Sequence, residues 1–179
     1  MATFYPVKFI QSKNTNDLPH IKVREFLYRF KTESNHIYFV QVEEFVNKLF
    51  AVKFYAKDHR LSRNKYKLLT NKNNIKETRS IILTCIHVGF ILLNDFPKHS
   101  FAFIGCPKYG SDETYYDNQR FRVYNRFVTT FIDAKKFRCY TDPKYSTYLL
   151  INEKSIDENK ELFNMYQKMY NDHIVSFLE

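Results

Sequence analysis

At 179 residues, with 18 Phe, 14 Tyr and no Trp, the chain is long enough for one domain with a substantial core and too aromatic for disorder. Three Gly and five Pro exclude a large glycine-rich phosphate loop and a flexible linker. The net charge of +9 is gathered early, since residues 1–72 hold 14 Lys/Arg against 6 Asp/Glu while residues 73–179 hold 14 against 13.

The chain opens on a short extended piece, "FYPVKFI", in which Pro6 permits an edge strand at best. A polar loop follows, and residues 1–20 read as a peripheral N-terminal segment. From "IKVREFLYRFKT" onward the pattern is strand-like. "HIYFVQVEEF" sets Tyr38, Val40 and Val42 on one face. "LFAVKFYAK" sets Phe50, Val52, Phe54 and Ala56 on one side and Lys53, Tyr55 and Lys57 on the other. The connectors "TESN" and "VNK" are short enough for hairpins, so the first part is an antiparallel meander, with "KYKLLT" as a candidate further strand.

The period then changes. "NNIKETRSIILTCIHVGFILLNDFP" predicts a helix with Asn74 and Glu77 as a capping box and Pro97 as its stop. Ile75, Ile82, Ile86, Gly89 and Leu93 form its stripe, but its second half is apolar almost all round, which marks a central core helix. Its apolar run stops short of a membrane span. "SFAFIGC" reads as an interior strand. The loop "PKYGSDETYYDN" leads to a second helix over 118–134 with Phe121, Tyr124, Phe127, Val128 and Phe131 on its apolar face. "KFRCYT" and "KYSTYLLIN" are two strands turning at Asp142–Pro143. A last helix is framed by Ser155 and Glu158 and carries Leu162, Phe163, Tyr166, Met169, Ile174 and Phe177.

The order predicts one α+β domain over 1–179: a β-meander, then α-β-α-β-β-α, as a mostly antiparallel sheet with helices on one face and a more polar opposite face. Cys85, Cys106 and Cys139 match no zinc or redox spacing and read as small buried hydrophobes. Their odd number, without a signal peptide, leads us to expect a reducing, cytoplasmic setting and no membrane association. No metal or other cofactor is expected.

The sharpest electrostatic feature is "KFYAKDHRLSRNKYKLLTNK", residues 53–72, with seven Lys/Arg and one Asp. Lys53, Lys57, Arg60, Arg63, Lys65 and Lys67 are candidates to neutralise nucleic-acid phosphates, with interleaved tyrosines for stacking. The same charges also suit a solvated surface or an acidic protein partner. On the second helix Arg122 and Arg126 lie four apart and share a face, a candidate phosphate fork beside Tyr115 and Tyr116. Asp112, Glu113 and Asp117 just before it suit the positive end of the helix dipole, and in that reading they neutralise the arginines internally. As a metal loop these carboxylates lack a regular ligand spacing.

Among the histidines, His20, His36, His59, His87, His99 and His173, no ligand pair is formed. His87 reads as a core residue. His59 is the weak catalytic candidate: with Arg60, Arg63 and Tyr66 it supplies a base, cations and a phenol for metal-independent RNA cleavage. Cys106, at a strand end, has no placeable base.

The strands leading into "ETRSIILTCIHVGFILLNDF", the strand "FAFIGC", the helix "RFRVYNRFV" and the closing "KYSTYLLIN" resemble a family of small uncharacterised bacterial proteins, common in Bacteroidetes, grouped under a domain of unknown function. The resemblance covers roughly residues 20–170 and places its R-x-R-x-Y/F helix pattern on Arg120, Arg122 and Tyr124. It implies a fold of this kind and no activity. The expected function is an accessory module contacting nucleic acid, in keeping with a mobile-element or phage-defence setting, with a toxin-like ribonuclease and a protein-interaction module as the alternatives.

Overall fold

Period-two alternation produces four strands in succession. In a computed structural model of the protein, which describes residues 4–15, 22–46, 48–68 and 75–156, β1 (Val7–Asn14), β2 (Lys22–Lys31), β3 (Ile37–Phe45) and β4 (Leu49–Ala56) pair antiparallel in order. Asn35 and Lys48 take left-handed backbone in the connections, a region Asn enters more readily than most residues. Turns over 57–68 lead toward α1 (Ile75–Asp95), which returns the chain so that β5 (Ser100–Ile104) lies parallel to β4. After α2 (Gln119–Phe131), β6 (Phe137–Asp142) and β7 (Thr147–Asn152) close a seven-stranded sheet of order β1-β2-β3-β4-β5-β7-β6. A single turn, α3 (Glu153–Ile156), follows, and the apolar positions expected beyond it lie outside the described residues, as does Asn74.

This is the predicted α+β fold with a mostly antiparallel sheet, its one parallel pairing being β4 with β5. β5 is interior, bonded to β4 and β7. "FYPVKFI" does yield the edge strand β1, exposed along most of its length, while Tyr5 reaches inward to stack on Phe30 and its amide donates to Thr84 Oγ1 of α1 at 2.8 Å. Lys65 to Leu68 form no strand. The amides of Lys67 and Leu68 both return to Asn64 O, so the donors a ladder would need are spent locally.

Phe26, Phe30, Val40, Val42 and Phe50 meet Ile81, Cys85, Val88 and Leu92 of α1 in the core. The stripe on the sheet is therefore turned by one residue from the predicted Ile82, Ile86, Gly89 and Leu93. The Glu77 carboxylate accepts from the Ser34 amide and hydroxyl at 3.3 and 3.1 Å, tying the start of α1 to the β2–β3 turn. Over Lys76–Asp95 the helix is long and apolar enough to cross a membrane by length and composition, longer than the run read from the sequence, and half of that stretch is buried inside the structure.

α2 packs on the same face as α1. Tyr124 meets Phe103 edge-on at 5.8 Å, Phe121 meets Tyr148 at 4.7 Å, and Val128 joins the core. Asn118 caps α2, its Oδ1 accepting from Phe121 N at 3.0 Å while its Nδ2 donates to Gly105 O. A Cβ at Gly105 would lie 2.6 Å from Asn118 Oδ1 and 2.7 Å from Phe121 N, so glycine is required where the helix crosses the chain leaving β5.

Candidate functional site

β4 and β5 pair over only three residues, Leu49–Ala51 against Ser100–Ala102. Beyond them the two carboxyl ends part. In sheets with parallel strands this is where ligands enter. Here the gap opens into a cavity of about 460 Å³ between the sheet, α1 and α2. Its walls are apolar: Ile82, Ile86 and Phe90 from α1, Phe103 from β5, Phe127 and Val128 from α2. Ile82, Ile86 and Gly89 of the predicted stripe thus face this space. Serving the sheet on one side and the cavity on the other is why α1 is apolar nearly all round.

The basic segment frames one end of the cavity. It begins as a 3-10 turn, Lys57–His59, and continues in tight turns closed by Arg60 N to Lys57 O, Ser62 N to His59 O and Lys65 N to Ser62 O. Tyr66 anchors it. The phenol donates to Gln41 Oε1 at 2.7 Å and the ring stands edge-on to Tyr55 at 5.6 Å. The Lys65 ammonium rests 4.5 Å from the Tyr55 ring and 4.9 Å from the Tyr66 ring.

Folding back in this way, the segment covers part of the sheet face read as the more polar one. Lys53 is the residue most affected. It does not project to solvent for contact with nucleic acid; its Nζ lies 2.5 Å from Glu43 Oε2, and Lys22 approaches Glu43 Oε1 at 2.9 Å. Gln41 Nε2 and Lys22 also reach Glu25 Oε2, at 2.9 and 3.2 Å. Burial pushes the Glu43 carboxyl up, but Lys53 and Lys22 outweigh it and hold it below its ordinary value. Burial lowers the Lys53 ammonium despite Glu43. Alternation placed Lys53 on the polar face correctly, but it carries no information about what lies on that face.

Arg120, which lies outside the candidate fork of Arg122 and Arg126, joins the two basic regions. Its guanidinium donates to Tyr66 O and, at 3.1 Å, to Lys67 O. Tyr109 N also donates to Lys67 O at 3.2 Å, and Lys67 Nζ lies 5.9 Å from the Tyr115 ring, whose phenol burial pushes up to about 12. Lys57, Arg60 and Arg63 are exposed. Arg122 and Arg126 are exposed on α2, Arg122 donating to Asp117 O with Asp117 Oδ2 at 3.5 Å. They form no closed fork: Arg122 is turned to the helix start.

The acids before α2 are used locally. Glu113 accepts from the amides of Gln119 and Lys108 at 2.7 and 3.0 Å. Burial acts to raise its carboxyl, yet those amides, with Arg120 and Arg122 beyond, hold it low. His59 is half-buried and its Nε2 is enclosed without a hydrogen-bond partner among the described residues. Tyr66, the phenol of the ribonuclease reading, donates to Gln41. Cys106 lines the cavity, and burial raises its thiol against the pull of Arg120, Lys67 and Lys53.

No protein-family model, curated protein or solved structure matches the chain. The family resemblance drawn from the arginine helix rests on the residues quoted for it.

Proposed function

We propose that the protein is a nucleic-acid-binding module whose contact surface combines the outer side of the 57–68 turns with the beginning of α2. One observation carries the reading: Arg120 ties the Tyr66 and Lys67 carbonyls to α2, bringing cations separated by more than fifty positions to one locality. Lys57, Arg60 and Arg63 supply exposed charge there, Lys65 and Lys67 are held over tyrosine rings, and Arg122 and Arg126 add exposed charge farther round α2. Neutralising phosphates with such groups releases counterions, which favours binding independent of sequence. Exposed Tyr109 and Tyr116 offer faces on which unpaired bases stack. Lys53 is left out of this surface.

The test is fluorescence anisotropy with labelled mixed-sequence oligonucleotides, single-stranded and duplex, over a salt series. Binding should weaken steeply, by roughly 0.7–0.9 in log affinity per log unit of salt for each phosphate neutralised. The variant Lys57→Glu/Arg60→Glu/Arg63→Glu should lose at least about tenfold in affinity with an unchanged thermal midpoint. Retained affinity in that variant removes the surface from consideration. Absence of oligonucleotide binding together with capture of an acidic polypeptide would replace the reading with a protein-interaction module.

A further inference from the structure

We propose that the cavity between α1, α2 and the parted ends of β4 and β5 takes an amphiphile, a single apolar chain with an anionic head group at Arg63, Lys67 and Arg120. Its volume of about 460 Å³ falls within the roughly 300–1,000 Å³ of small-molecule sites. Its lining follows β4 from Leu49 to Phe54 and β5 from Phe101 to Ile104. At about 3.3 Å per residue such a space extends on the order of 15 Å along the strands, the shape of a chain and not of a compact ring system.

The two ends differ in chemistry. At the end where β4 and β5 pair, the lining is Phe45, Leu49, Phe101, Phe137 and Leu150. At the parted end it is Lys53, Arg63, Asn64, Lys67 and Arg120, with Tyr66, Tyr115 and Cys106 beside them. No carboxylate lines the cavity among the described residues. Lys53 is matched by Glu43. Arg63, Lys67 and Arg120 enter none of the ion pairs found among the described residues. Arg120 faces two backbone carbonyls, which orient its guanidinium without neutralising it. A neutral hydrophobe would leave Arg63 and Lys67 unanswered, and a nucleobase would find few hydrogen-bond partners between Ile86, Phe103 and Phe127.

The head-group end shares Arg63 and Lys67 with the proposed nucleic-acid surface, whereas Ile86 and the apolar walls do not belong to it, so filling the cavity separates the two. The inference is tested on the full-length chain with a fluorescent anthroyloxy-stearate displaced by laurate, dodecyl phosphate, dodecanol or dodecyltrimethylammonium. Laurate and dodecyl phosphate should displace the probe at least tenfold more strongly than dodecanol, and the cationic detergent more weakly still; the ratio of the first two identifies the preferred head group. Ile86→Trp, which fills the cavity, should lower laurate affinity at least tenfold with oligonucleotide binding unchanged. Should that variant fail to fold, Arg63→Glu/Lys67→Glu provides the second arm: dodecanol affinity stays and the preference for anionic heads disappears. Failure of the wild type to take up the probe, equal displacement by dodecanol and laurate, or full laurate affinity in Ile86→Trp would overturn the proposal.

Discussion

Glu43 shows how a single side chain decides what a sheet face is for. It lies buried between Lys53 and Lys22 and holds both, on a surface that sequence alternation marks only as polar. Removing its charge takes from the enclosed Lys53 the carboxylate that holds it and leaves Lys22 with Glu25. Glu43→Gln should therefore cost about 3 kcal/mol in urea unfolding, the cost of breaking an enclosed pair. Lys53→Met should cost less, because Lys22 still answers the carboxylate. The pH dependence follows from the depressed carboxyl. In the unfolded chain Glu43 protonates near its ordinary 4.5, and in the folded chain only below that. Its contribution is complete above the unfolded value and is lost as pH falls through the folded one. The acid limb of a stability–pH curve should flatten in Glu43→Gln; an unchanged limb would show that Glu43 is not held low.

At the scale of elements, α2 depends on one close crossing. Gly105 lets Asn118 and Phe121 approach the chain as it leaves β5. Gly105→Ala places a methyl group against backbone that cannot move aside. It should destabilise by about 1–3 kcal/mol, measured by thermal melting, and weaken oligonucleotide binding as Arg120 is displaced. The same scale shows which elements were legible. β2, β3 and β4 alternate cleanly, and the change of period at Ile75 announces α1, so their existence follows from local pattern. "KYKLLT" also alternates, yet its amides turn back to Asn64, a local competition that alternation does not register. The basic charges of 57–67 were legible as a group. Arg120 as their link was not, because its bonds span 54 and 53 positions. The cavity left one trace, the excess apolarity of α1, but its existence depends on where two strands separate, which no local window contains.

At the scale of the molecule, the sheet consists of two antiparallel parts. β1 to β4 form one and β5, β7 and β6 the other. Within each part neighbouring strands pair over four to nine residues, whereas β4 and β5 share three pairs. The helices α1 and α2 bridge the parts on one face, touching through Arg79 above Phe127 at 6.0 Å. The 57–68 turns bridge them on the other, through Arg120. The basic turns over 57–68 thus meet the second half of the chain at the seam.

That narrow seam has a mechanical consequence. Two plates stitched by three rungs flex along the stitch line before either plate yields, so the amides of Ala51 and Ala102 should exchange with deuterium ahead of those of Val40 and Val42 in the adjoining plate. Matter lodged between the plates then acts as a wedge glued to both, slowing exchange along the stitch while leaving the plate interiors untouched.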